Sequence, residues 1–169
     1  MQAKTHTALT LTRRRLLRLA TALTLGATSL PLLAQDSRGK PLDVYKDPTC
    51  GCCANWIDHM QQHGFASTVI HPADLNQVKA ELGVQPAWQS CHTAVTEEGY
   101  VFEGHVPARH ITAFLAAPPA NALGLAAPGM PMGSPGMEMG GRFTPYDVLL
   151  MKRDGTASVY ASIKSAADQ

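Results

Sequence analysis

Apolar and polar residues alternate over residues 42–46, where Leu42 and Val44 flank Asp43, and this period of two predicts a short first strand. The period then lengthens. Trp56, Ile57 and Met60 fall at helical spacing, which predicts a helix over 54–63 stopped by Gly64. Residues 65–70 read as a second strand. A second helix is predicted over 74–82, with Asp74 as its N-cap and Gly83 as its stop. Residues 90–95 and 100–103 read as two strands turned by Glu97-Glu98-Gly99. Pro107 suits the first turn of a helix over 108–116. Two further strands, 146–151 and 156–163, flank Asp154-Gly155, a two-residue hairpin signal.

Strand, helix, strand and helix in that order predict an α/β unit with parallel strands. The whole set fits an α/β sandwich with a mixed β-sheet, similar to a thioredoxin fold, carrying an additional C-terminal β-hairpin. Residues 118–142 differ in kind. They hold Gly124, Gly129, Gly133, Gly136, Gly140 and Gly141 together with Pro118, Pro119, Pro128, Pro131 and Pro135. That composition predicts a long loop, neither a regular helix nor a central strand.

Charge changes the picture at the N-terminus. The first 34 residues contain five Lys/Arg and no acid, leaving nine Lys/Arg against thirteen Asp/Glu from Gln35 onward, a formal −4. Such a balance offers no basic footprint for nucleic acid. Arg13, Arg14, Arg15 and Arg18 precede an apolar run over 19–33, and Ala34 suits a cleavage position. Residues 1–34 therefore read as an export signal, of twin-arginine or general secretory type, with periplasmic delivery as the expectation. The apolar run is about 15 residues, short of the roughly 20 needed to span a bilayer, so no stable membrane span is expected in the mature chain. Residues 35–41 then form a linker, 42–163 a single domain and 164–169 a tail.

The chemistry concentrates in Cys50-Gly51-Cys52-Cys53, between the first predicted strand and helix. A helix N-terminus favours thiolate, the form that attacks disulfides or binds metal. Cys91, the fourth cysteine, sits on the predicted third strand, which in a thioredoxin-like arrangement lies beside the first. All four sulfurs then converge, and four soft donors suit Cu(I), Zn(II) or an iron–sulfur cluster. Zinc knuckles space their ligand pairs more widely, so the compressed motif better suits sulfurs bridging several Cu(I) ions. Structural disulfides, Cys50–Cys53 with Cys52–Cys91, would close few long loops and stabilise little. A CxxC in such a unit equally suits thiol–disulfide exchange.

Met130, Met132, Met137 and Met139 fall within ten residues of the Gly/Pro-rich loop. Thioether is a neutral Cu(I) donor, so the loop reads as ligands or as a lid for copper capture; the alternative is flexible packing. His105 stands at a strand-to-helix junction from which it can reach the cysteines. His92 follows Cys91, so strand alternation predicts that it faces the opposite side and supports the site rather than binding. His59 and His63, four apart, can hold a metal or form a solvated face. His71 and His110 read as surface residues, Trp56 and Trp88 as packing.

Four ordered motifs carry a resemblance. Thr49-Cys50-Gly51-Cys52-Cys53 with Trp56, Ser90-Cys91-His92-Thr93-Ala94, Glu103-Gly104-His105-Val106-Pro107-Ala108, and the segment from Gly124 to Met130-Pro131 with Gly133-Ser134-Pro135-Gly136-Met137-Glu138 resemble the CopG-like family of small periplasmic metal-binding proteins. The resemblance spans roughly residues 44–163. It implies a thioredoxin-like fold and a copper site built from Cys50, Cys52, Cys53 and Cys91, with His105, His92, Met130, Met132, Met137 and Met139 as further ligands or neighbours. It also implies a role in periplasmic copper homeostasis or resistance, with copper ions and other copper-handling proteins as partners. The resulting expectation is a metal-binding protein holding Cu(I), in a polynuclear site, with thiol pKa values lowered by the helix N-terminus and with copper redox chemistry within reach. The alternative is a periplasmic thiol–disulfide oxidoreductase using the CxCC motif.

Overall fold

A computed structural model describes residues 39–169. Residues 1–34, which the sequence reading assigns to an export signal, and residues 35–38 of the predicted linker lie outside the described residues. The first strand, β1 (Lys40–Lys46), begins two residues earlier than the pattern predicts. It is followed by α1 (Gly51–Gln62), β2 (Phe65–Ile70), α2 (Leu75–Glu81), β3 (His92–Val95), β4 (Val101–Gly104), α3 (Ala108–Ala116), β5 (Ala122–Ala127), β6 (Tyr146–Lys152) and β7 (Ala157–Ile163). Asp74 caps α2 as expected, its side chain accepting from the Asn76 and Gln77 amides. No helix among the described residues is long and apolar enough to cross a membrane.

The strands form one seven-stranded mixed sheet in the order β2-β1-β3-β4-β5-β6-β7. β1 pairs in parallel with β2 across the α1 crossover and antiparallel with β3. The β3–β4 pair is antiparallel, and β4 pairs in parallel with β5 across α3.

β5 corrects the sequence reading, which excluded a central strand from residues 118–142. It lies between β4 and β6 with all six residues buried. The glycines and prolines of the segment are unevenly spread: Pro119 and Pro128 flank a proline-free Ala122–Ala127. Gly124 is needed there, because a Cβ would sit 1.7 Å from the Val101 carbonyl oxygen. A strand buried on both faces has no polar alternation to reveal it.

Adjacent residues of β4 feed two cores, since successive strand side chains point to opposite faces. Phe102 joins Leu42, Val44, Leu125 and Val148 beneath Trp56, Met60 and Phe114 of α1 and α3. Val101 joins Leu123, Ala126 and Met151 with Val84 and Trp88. The strand directions bring the ends of β1, β4 and β5 and the beginning of β3 to one edge: Lys46 is in register with His92, and Gly104 with Ala127. The chain leaves that edge through the cysteine motif, through His105 and through the methionine loop.

Candidate metal centre

The turn after β1 is fixed by Asp47. Its carboxylate accepts from the Thr49 amide and hydroxyl at 2.7 and 2.5 Å, and its carbonyl accepts from the Cys50 amide at 3.1 Å. α1 begins at Gly51, three residues before the predicted start, because the cysteines themselves supply its first turn. Cys50 is the N-cap, and Cys52 and Cys53 lie inside the helix, close to its unpaired amides.

The four cysteine sulfurs lie within 4.8 Å of one another. Cys50 and Cys53 are joined as a disulfide, while Cys52 and Cys91 are free. Cys52 Sγ is 3.5 Å from Cys50 Sγ and 4.0 Å from Cys91 Sγ. Of the disulfide pairing weighed from sequence, the first half is present and the second is not. Four thiolate ligands therefore require prior reduction of Cys50–Cys53.

Cys91, His92 and His105 form a second group whose ligand atoms also lie within 4.8 Å of one another, so Cys91 belongs to both. His105 is fully buried. Its Nδ1 is 2.8 Å from the Pro135 carbonyl oxygen, which can only accept, so Nδ1 carries the proton. The lone pair on Nε2 then faces Cys91 Sγ at 3.1 Å, the orientation a metal-binding imidazole needs.

His92 corrects the alternation argument. Its Nδ1 lies 3.4 Å from Cys91 Sγ. Cys91 precedes β3, which starts at His92, so the strict strand period does not relate the two. His92 packs on Trp56 with ring centroids 4.4 Å apart and meets His105 edge-on at 5.1 Å. Its Nε2 is buried without a hydrogen-bond partner.

Burial, then the neighbouring Cys52, pushes the Cys91 thiol up to about 12. For this cysteine the expected lowering is reversed, because Cys91 lies on a strand approach and not at the helix N-terminus. Burial holds His105 below the ordinary histidine range, opposed by the Pro135 carbonyl and by Glu138. It holds His92 well below that range, helped by His105 and by the ammonium groups of Lys79 and Lys46. Neutral imidazoles are the form that binds metal, and a soft cation at Cys91 must displace a proton.

The methionine loop is docked, not free. Gly136, at φ +85°, approaches α1 so closely that a Cβ would lie 2.6 Å from the Trp56 amide nitrogen and 2.8 Å from the Cys52 carbonyl oxygen. Ser134 is fully buried. At its other end the Ser90 hydroxyl donates to the Gly129 carbonyl, and the Gly129 amide donates to the Gln89 carbonyl at 3.0 Å. Met132 and Met137 are half-buried, while Met130 and Met139 are exposed.

His59 and His63 join no group of three possible ligands among the described residues. Their rings pack with centroids 4.3 Å apart and planes tilted by 41°, and His59 Nε2 accepts from the Ala108 amide at the start of α3. Burial, with His63 adding, keeps His59 below its ordinary range. His71 is exposed, as the sequence suggested, with its Nδ1 at 2.9 Å from the Lys46 carbonyl oxygen, while His110 is half-buried and bonded to the Asp168 carbonyl. Trp56 and Trp88 are packing residues as expected. A cavity of about 480 Å³ at the opposite end of β1, lined by Lys40, Thr96, Glu97, Tyr100 and Leu115, contains none of these groups.

Two solved structures are similar over most of the chain. One, "Copper resistance protein copG- Form 1", is 46% identical, covers 73% of this chain and 97% of its own, and superposes with a TM-score of 0.69. The other, "Copper resistance protein copG- Form 2", is 45% identical over 73% of this chain and 98% of its own, with the same TM-score of 0.69. The chain belongs to the CopG family. A family model described as "Protein of unknown function, DUF411" matches residues 88–137, the stretch from Trp88 through Cys91 and His105 into the methionine loop. No curated protein matches.

Sequence reasoning missed Lys79, Thr93 and Glu103, which form a buried polar network behind Ser90. Glu103 sits in an apolar strand, and that was the available signal. Its partner Lys79 lies 24 residues away and leaves no local trace.

Proposed function

We propose that this protein is a periplasmic copper-binding protein of thioredoxin-like fold that holds Cu(I) through Cys50, Cys52, Cys53 and Cys91 and serves copper homeostasis or resistance. The observation that carries the reading is the convergence of four sulfurs within 4.8 Å at the start of α1. Soft thiolates so close together select Cu(I) over harder cations, and a cysteine group that shares Cys91 with a histidine group suits a polynuclear site. His105 Nε2 and His92 complete the donor set on the Cys91 side, and the methionines at 130, 132, 137 and 139 supply neutral thioether on the loop that covers α1. The names of the two similar structures agree with copper as the metal. The export signal over 1–34 agrees with a periplasmic site of action.

The Cys50–Cys53 disulfide favours a second reading, a thiol–disulfide oxidoreductase. In its copper-linked form, oxidation of the two thiolates to the disulfide releases two electrons, enough to reduce two Cu(II) to Cu(I). Against a general disulfide exchanger stands the region before β3. Ser90 and Cys91 occupy the approach to the strand, and Pro86 sits earlier, in the short turn Pro86–Trp88.

Anaerobic titration of the reduced protein with Cu(I) tests the first reading. More than one equivalent is expected to bind, with fewer in the oxidised protein, where only Cys52 and Cys91 are free. Binding left intact after Cys-to-Ser substitution at all four positions would refute it. Reduction of insulin at rates typical of thioredoxins would favour the exchanger.

A further inference from the structure

We infer that Glu103, held in place by Lys79, is a positioning residue for the metal centre: it fixes the Ser90–Cys91 segment, and through it both the Cys91 sulfur and the root of the methionine loop. The inference rests on the copper-site reading above.

Both side chains are almost wholly buried, Lys79 on α2 and Glu103 on β4. The Lys79 ammonium donates to one Glu103 carboxylate oxygen and to Thr93 Oγ1 at 2.9 Å. Thr93 Oγ1 donates to the other carboxylate oxygen at 2.5 Å. The network does not close on itself. The oxygen that meets Lys79 also accepts the Ser90 amide at 2.6 Å.

Ser90 lies between the Pro86–Trp88 turn and β3, outside the named strands; it forms an isolated bridge with Gly129, and its amide goes to the Glu103 carboxylate. A charge-assisted bond from a buried carboxylate is a stiff anchor for such a segment. Gly104, directly after Glu103, presses on the same residue: at φ +71° its missing Cβ would lie 2.4 Å from Ser90 Cβ. Ser90 in turn donates its hydroxyl to the Gly129 carbonyl, which opens the methionine loop. Cys91, one peptide bond on, thereby holds its sulfur 4.0 Å from Cys52 Sγ and 3.1 Å from His105 Nε2. The hydrogen bonds of the Glu103 carboxylate go to Lys79, Ser90 and Thr93 and not to a sulfur, so it acts through Ser90.

Two double variants separate positioning from mere burial. Lys79→Met with Glu103→Gln removes both charges but leaves a carbonyl oxygen to accept the Ser90 amide. Lys79→Met with Glu103→Met has nearly the same shape and no acceptor. The first readout is alkylation of Cys91 in the full-length chain, metal-free, with the other three cysteines changed to Ser. The second is Cu(I) affinity of the four-cysteine protein by competition.

The Gln variant is expected to stay within about twofold of the parent in both readouts. The Met variant should label about tenfold faster and bind Cu(I) about tenfold more weakly, the effect of orphaning one buried amide. Equal labelling and equal affinity of the two folded variants would overturn the inference. If the Met variant does not fold, Thr93→Val replaces it, since it loosens the carboxylate and keeps the ion pair. Faster Cys91 labelling is then expected, and an unchanged rate overturns the inference. If the parent binds no Cu(I), the copper reading fails, while the labelling arm still decides the role of Glu103.

Discussion

Gly136→Ala probes the junction between the methionine loop and the cysteine helix. The backbone there has φ +85°, a conformation that costs an L-residue about 1–2 kcal/mol. The new methyl would also meet the Trp56 amide nitrogen at 2.6 Å and the Cys52 carbonyl oxygen at 2.8 Å. Both atoms belong to helix backbone and cannot swing aside, so overpacking adds about 1–3 kcal/mol. The total, about 2–5 kcal/mol, exceeds the roughly 1 kcal/mol net of the hydrogen bond between His105 and the Pro135 carbonyl that helps hold the loop down. Lifting the loop off α1 is therefore the cheaper relief than unfolding the sheet.

Gly141→Ala is the control. Its φ is +76°, but nothing lies within 4 Å of the added Cβ, so it carries backbone strain alone. The two variants should melt within about 5 °C of each other, a difference under about 2 kcal/mol for a domain of this size. Limited proteolysis should nevertheless cut residues 128–142 about tenfold faster in Gly136→Ala, and Cu(I) competition should show about tenfold weaker binding. Equal protection of the loop in the two variants would refute the claim that it is seated on the cysteine helix. Equal copper affinity with a visibly lifted loop would refute the claim that the seat matters to the metal.

Metal-free protein should lose stability as pH falls. Burial depresses His92, His105 and His59, so their folded-state pKa values lie below the unfolded value of about 6.5. Their contribution is fully present above that pH and is lost on acidification toward the folded values, because the unfolded chain binds protons first. The thermal midpoint should drop between pH 7.5 and pH 5, and His92→Phe should flatten the dependence; a level midpoint in the parent would contradict this. Trp56→Phe removes an indole N–H that donates to the Val106 carbonyl at 2.9 Å in a fully buried site. Orphaning that carbonyl and shrinking the side chain should cost about 2–4 kcal/mol in a denaturant melt, and a loss below about 1 kcal/mol would argue against a tight contact there.

The sequence alone determined the parts whose causes are local. β2 and α3 fall on their predicted residues because alternation, Gly64 and Pro107 act within a few positions. The Asp74 cap and the hairpin at Asp154-Gly155 are equally local. The cysteine motif announced itself because three sulfurs in four residues have few structural uses. Tertiary structure decided the rest. β5 was hidden because burial on both faces erases alternation, and because its flanking prolines and glycines dominate the composition. The start of α1 moved onto the cysteines, whose helical propensity is unremarkable, because the Asp47 turn delivers the chain already in register.

The disulfide between Cys50 and Cys53, the approach of His92 to Cys91 and the direction of the Cys91 pKa shift depend on which groups burial brings together. The Lys79–Glu103 anchor depends on it too. None of these has a period or a spacing, so none is written along the chain. The sequence named the four sulfurs, and the sheet edge where β1, β3, β4 and β5 meet set their distances and their neighbours.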